Sequence, residues 1–128
     1  MSLESRIAAL VAAIGADVKA LQAGDVAQAR NAQTGTSYTL VSADVGRLVT
    51  LTNAAAITCT VPPSSGVAID VGKAIDIAQM GAGQVTLAPG AGVTLRTTPG
   101  LKMRAQYSGA TVRKIATDEW LIVGDLTS

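Results

Sequence analysis

The chain changes its hydrophobic period once, near Ser37, and that single change limits what it can fold into. Before it, Leu3, Ile7, Leu10, Ile14, Val18 and Leu21 are spaced by four, three, four, four and three residues. This spacing puts all six on one stripe of an α-helix. The first steps begin a heptad, with Ile7 and Ile14 at a positions and Leu3 and Leu10 at d positions. A strict heptad would next call for Asp17 where Val18 supplies the apolar side chain, a stutter that locally unwinds a left-handed supercoil. The opposite face is mainly alanine, with Glu4, Ser5, Arg6 and Lys19 for solubility. A helix of about twenty residues is marginal alone in water, so this one needs a partner. It can pack on the rest of its own chain or on other copies in a coiled coil. Alanine buries little against a neighbouring domain, so residues 1–24 are expected to be an oligomerisation helix. Isoleucine at a with leucine at d favours two strands in model peptides. Gly24 is expected to end or weaken the helix, and residues 25–36, closing on the polar run Asn31 to Thr36, are expected to be a linker.

From Ser37 onward the period is two. Val49 and Leu51, Ile57, Cys59 and Val61, and Ile75 and Ile77 alternate with polar or small neighbours. Short runs follow at Val85 to Leu87, Val93 to Leu95, Leu101 to Tyr107, Ala110 to Ile115 and Glu119 to Val123. Seven or eight short strands in about ninety residues predict a mainly β domain over 37–128, a small β-sandwich or jelly-roll-like unit. Threonine on the second face of these strands suits a half-exposed or intersubunit sheet surface. Phenylalanine is absent, so the core is thin and oligomer contacts are expected to add to it.

Composition narrows the function classes. The chain has 128 residues, 48% hydrophobic and 15% charged, which suits one modest domain with an appended element. A net charge of +1 gives no footprint for nucleic acid or an anionic membrane. No histidine is present, removing the commonest acid/base group and metal ligand. The single cysteine, Cys59, allows neither an intrachain disulfide nor a thiolate cluster, and it reads as a small buried hydrophobe. Tyr38, Tyr107 and Trp120 are the only aromatic residues, too few for a base-stacking platform. The first residues do not form a signal peptide, and the apolar run after them is too short and too charged to span a bilayer, so synthesis in a cytoplasm is expected.

The motifs carry little chemistry. Gly81-Ala82-Gly83-Gln84 lacks the following helix and the lysine of a P-loop, and its near repeat Gly90-Ala91-Gly92 points instead to two tight connections needing positive φ. Asp44, Asp70, Asp76, Asp118, Glu119 and Asp125 are scattered without the spacing of a glycosidase pair, and Asp44 and Asp70 fall in expected turns. Lys102, Arg104, Arg113 and Lys114 form the only basic concentration. If their strands are neighbours they share a surface for an anionic glycan or an acidic partner; the simpler reading is a solvated face paired with Asp118, Glu119 or another subunit. With Tyr107 and Trp120 they complete the candidate partner surface, although core or interface packing is the favoured role of Trp120. No catalytic residue, metal or cofactor is expected.

Several segments from Tyr38 to Leu126 carry a resemblance. They are Tyr38-Thr39-Leu40-Val41, Asp44 to Leu51, Val61-Pro62, Gly72 to Ile77, Gly81 to Thr86, Gly90 to Arg96, Arg104 to Tyr107, Lys114-Ile115 and Glu119 to Leu126. Together they resemble the C-terminal β-domain of tailed-phage tail fibres and of head-fibre or capsid decoration proteins. The resemblance implies a non-enzymatic homotrimer on the virion surface, bound to the major capsid protein or another virion protein. The short chain, with nothing before the helix to dock on a baseplate, favours the capsid. A tail-fibre tip binding a host surface glycan is the alternative. A carbohydrate-active enzyme is the third, least favoured reading.

Overall fold

A computed structural model of the protein describes residues 2–26 and 28–128, without the side chains of residues 18–26. One helix, α1 (Leu3–Val26), precedes eleven short strands. They are β1 (Arg30–Gln33), β2 (Ser37–Thr39), β3 (Leu48–Leu51), β4 (Ile57–Val61), β5 (Ala74–Gln79) and β6 (Val85–Pro89), then β7 (Thr94–Arg96), β8 (Lys102–Met103), β9 (Gly109–Ala116), β10 (Glu119–Gly124) and β11 (Leu126–Thr127). Gly24 does not end the helix, which continues to Val26. No helix among the described residues is long and apolar enough to cross a membrane.

The strands form two sheets, in the orders β1-β3-β5-β9-β10-β7 and β11-β8-β6-β4-β2. The first six strands alternate between the sheets. Each sheet therefore joins strands two apart in sequence, and it joins them in parallel: β1 with β3 with β5, and β2 with β4 with β6. This is a chain coiling through stacked rungs. The arrangement is solenoid-like, which corrects the expectation of a β-sandwich or jelly roll. Those folds are built from antiparallel hairpins and Greek keys, whereas antiparallel pairing here enters only where β8, β9, β10 and β11 join. The alternation of apolar and polar residues is the same in both architectures, so it does not discriminate between them.

The core lies between the sheets. Val49, Leu51, Ile75, Ile77, Val112 and Ile122 face it from one side; Ile57, Cys59, Val61, Val85, Leu87 and Met103 face it from the other. Trp120 is its largest side chain and is almost wholly covered. Its indole Nε1 is buried without an acceptor. Burying each such side chain contributes about 1.5–3 kcal/mol.

The expected linker is also corrected. Residues 30–33 of it form β1, an edge strand in parallel register with β3 through Arg30 with Leu48 and Gln33 with Leu51. Its inward positions are polar, because Asn31 and Gln33 enter a hydrogen-bond network that closes the first coil.

The corners stack as the strands do. Asn53 donates from Nδ2 to the Thr34 carbonyl at 2.8 Å, and its own carbonyl accepts from the Gly83 N–H at 2.8 Å. A Cβ on Gly83 would stand 1.8 Å from the Ala55 carbonyl oxygen. Close backbone approach thus explains the glycines of 81–84, where positive φ was expected. Of the second glycine pair, Gly92 does take a positive φ, of 78°.

Candidate functional site

The feature with the strongest demand for a partner is the helix. Residues 2–17 are exposed throughout, including Leu3 at 72%, Ile7 at 52%, Leu10 at 61% and Ile14 at 54%. Over this length the helix does not pack on its own β-domain. Val18 and Leu21, the other two members of the stripe, lie outside the described side chains. Val11, 64% exposed, lies at an e position beside Leu10 and widens the stripe. It was missed because the strict heptad counts only a and d.

The basic residues do not converge. Lys102 lies on β8 in one sheet, whereas Arg113 and Lys114 lie on β9 in the other. Adjacent residues on a strand point to opposite faces, so Arg113 is exposed and Lys114 is buried. Arg104, in the turn after β8, forms a two-pronged ion pair with Asp125, at 2.7 and 2.9 Å. That pair and the Ser108 hydroxyl hold the Asp125 carboxyl below its ordinary range, and Asp125 in turn raises the Arg104 guanidinium.

Lys114 reaches the interior. Its Nζ donates to Ser64 Oγ at 2.7 Å and to the Ile69 carbonyl at 2.6 Å, and lies 5.9 Å from the centre of the Trp120 ring. The Ser64 N–H donates to Asp118 at 2.7 Å. This contact, then the Ser64 side chain and the nearby Lys114 charge, lower the Asp118 carboxyl. Lys114 and Trp120 are therefore core anchors that tie the long β4–β5 connection to the last hairpin. Neither is available to a ligand as the chain stands, which corrects their place in the candidate surface.

Tyr107 is the exception among the aromatic residues. It is 71% exposed at a φ of 71°, a left-handed conformation that is unusual for a bulky side chain. Its turn is held by the Tyr107 N–H on the Gln79 carbonyl at 2.7 Å and by Gln106 Nε2 on the Met80 carbonyl at 3.1 Å. Ser108 Oγ fixes the far side through Asp125 at 2.7 Å.

One buried cluster was not foreseen. Asp44 is 1% exposed and accepts from Asn31 Nδ2 at 2.8 Å, Tyr38 OH at 2.7 Å and the Val41 N–H at 3.0 Å. Gln33 Nε2 donates to Asn31 Oδ1 at 2.9 Å. Burial, then the Asp44 carboxylate, push the Tyr38 phenol up to about 12. The same two causes push the Cys59 thiol up to about 12. A buried thiol held protonated is inert rather than nucleophilic. The network closes the first coil with polar groups that satisfy one another.

Two shallow depressions mark the outer face of the β1-containing sheet. One, of about 370 Å³, is lined by Leu48, Asp76, Ala78, Gly109, Thr111 and Val123 among others; the second, of about 280 Å³, is lined by Thr111, Arg113, Leu121 and Val123. Among the described residues no group of three or more cysteines or carboxylates is placed to hold a metal ion. Comparison with known proteins finds no matching family model, curated protein or solved structure.

Proposed function

We propose that the chain is a non-enzymatic structural protein of a tailed-phage virion, in which the helix joins three copies and the β-domain is displayed as a capsid decoration or head-fibre module. The observation that carries the reading is the open apolar stripe: four large side chains in register on one helix face, each more than half exposed. Helices in proteins take most of their stability from packing their apolar face, and this one is left uncovered by its own chain. The β-domain leaves residues 2–17 exposed. Self-association covers the stripe without any further component. A width of a, d and e positions suits a bundle of more than two helices. The number three itself rests on the resemblance to fibre and head-fibre domains, because the a/d residues taken alone favour two.

The test is the solution mass of the full chain by light scattering. The expected value is about 39 kDa, three copies of 12.9 kDa. Ile7→Asp with Ile14→Asp should return it to the single-chain mass. A monomeric wild type would overturn the reading. Density for the protein on the heads of intact virions, seen by electron cryomicroscopy, would support the capsid location; its absence there would reject it.

The second reading is a tail-fibre tip that binds a host surface glycan. Its supporting observation is Tyr107, an exposed ring on a turn fixed from both sides. Host-cell binding by the full chain, abolished by Tyr107→Ala, would favour it; no binding by the wild type would exclude it.

A further inference from the structure

The connection from β4 to β5, residues 62–73, is the longest between two strands, and its ends are held differently from its middle. At the start, Pro62-Pro63 is seated on Gly90. The Gly90 N–H donates to the Val61 carbonyl at 2.8 Å, and a Cβ on Gly90 would stand 2.8 Å from Pro63 Cδ. At the other end, the Gly72 N–H donates to the Lys114 carbonyl at 2.8 Å and the Lys114 N–H to the Lys73 carbonyl at 3.0 Å. Both ends are therefore pinned to neighbouring segments through the backbone.

The middle is not. The Gly66 and Val67 N–H groups both donate to the Pro63 carbonyl, and the Lys73 N–H donates to the Asp70 carbonyl, so these bonds stay within the connection. Among the described residues, positions 65–71 make one backbone hydrogen bond to the rest of the molecule: the Ile69 carbonyl accepts from Lys114 Nζ at 2.6 Å. Ser64 adds its N–H to Asp118 at 2.7 Å, and its Oγ accepts from the same Nζ at 2.7 Å. Over 64–71 only Ile69 is buried; Val67 packs partly on the core and Val71 is exposed. One ammonium thus holds the strap down at both Ser64 and Ile69. Lys114 is buried, and neither ion pair among the described residues includes it. When the strap lifts, water replaces both acceptors, and the regained hydration offsets part of the lost bonding. A segment with few buried apolar side chains opens at a lower free energy than the core it covers.

We infer that residues 64–71 are a lid that opens between its pinned ends, with Lys114 as the latch. Opening uncovers the Lys114 ammonium and the Trp120 ring, whose centre is 5.9 Å from it, while the two sheets stay intact. The two residues that the closed chain withholds then reach the surface together.

The test uses the full chain, with the native Cys59, buried in the sheet core, as the standard for opening of the sheets. Ile69→Cys should react with a thiol reagent about a hundredfold faster than Cys59. Adding Lys114→Met, which keeps the apolar stem and removes the latch, should speed position 69 about tenfold and leave Cys59 unchanged. Equal rates at 69 and 59, or a Lys114→Met substitution that speeds neither or both alike, overturn the lid. The native chain supplies a second measurement that needs no substitution. An amine-acylating reagent should modify Lys114 in molecules whose Cys59 is still unreacted, as mass spectrometry reads. Acylation of Lys114 only where Cys59 has also reacted means that the strap moves with the whole domain, and overturns the lid as well.

Discussion

Asp44 accepts hydrogen bonds from three donors contributed by two strands and the turn that follows the second, all at the first coil of the β-domain. Removing it strands those donors in a covered site, so Asp44→Ala is expected to cost about 3 kcal/mol. A lowered urea midpoint with an unchanged slope would show it. The Tyr38 phenol offers a pH signature. Its pKa is raised in the fold, to about 12 from 10.0. The associated stability is full below pH 10 and is lost as the pH rises through about 12, because the folded state holds the proton longer. In Tyr107→Phe, Tyr38 is the only tyrosine, and absorbance near 295 nm should report one ionisation at about 12 rather than 10.0. At the acid end, Asp125 is lowered by Arg104 and Ser108. The advantage of the wild type over Asp125→Asn should be full above the ordinary carboxylate range and fade as the pH falls below it. Sequence shows Asp44 as a turn residue bonding its own backbone, and it does accept the Val41 N–H. Its other two partners, Asn31 and Tyr38, belong to strands whose pairing no local pattern encodes.

Among the elements, the strands with apolar inward positions were legible from alternation, and β1 was not, since Asn31 and Gln33 occupy its inward positions. The coiling was hidden for a second reason. Partners in one sheet stand at positions 30, 48 and 76, so one coil takes 18 residues and the next 28, and no fixed repeat appears. The corners can be tested directly. Gly83→Ala must displace the Ala55 carbonyl or the turn that carries it, and is expected to lower stability by more than the usual helix or strand glycine effect of about 1 kcal/mol. Thermal melts of the two chains would measure it. In the last hairpin, Trp120→Ala should cost about 3–5 kcal/mol through the cavity it leaves. Trp120→Phe should cost much less, because it keeps most of the volume and removes an N–H that has no acceptor.

For the whole molecule, the proposed assembly makes stability a function of concentration, since association stabilises the folded chain by mass action. The melting temperature of the wild type should rise with protein concentration, and that of Ile7→Asp/Ile14→Asp should not; calorimetry over a hundredfold dilution, roughly, decides it. The order of the sheets has a consequence for synthesis. The first three coils stack in the order in which they are made, each on its predecessor. Strand β7 breaks that sequence: its only neighbour in the sheet is β10, and Thr94 pairs with Glu119, twenty-five residues later. Trp120, the largest piece of the interior, arrives on that same late strand. The first three coils fill their own interior, but their β5 end stays open until β9 has been made and pairs with it. Translation stalled before residue 109 would leave filled coils with a bare β5 edge, open to pairing with a strand from elsewhere.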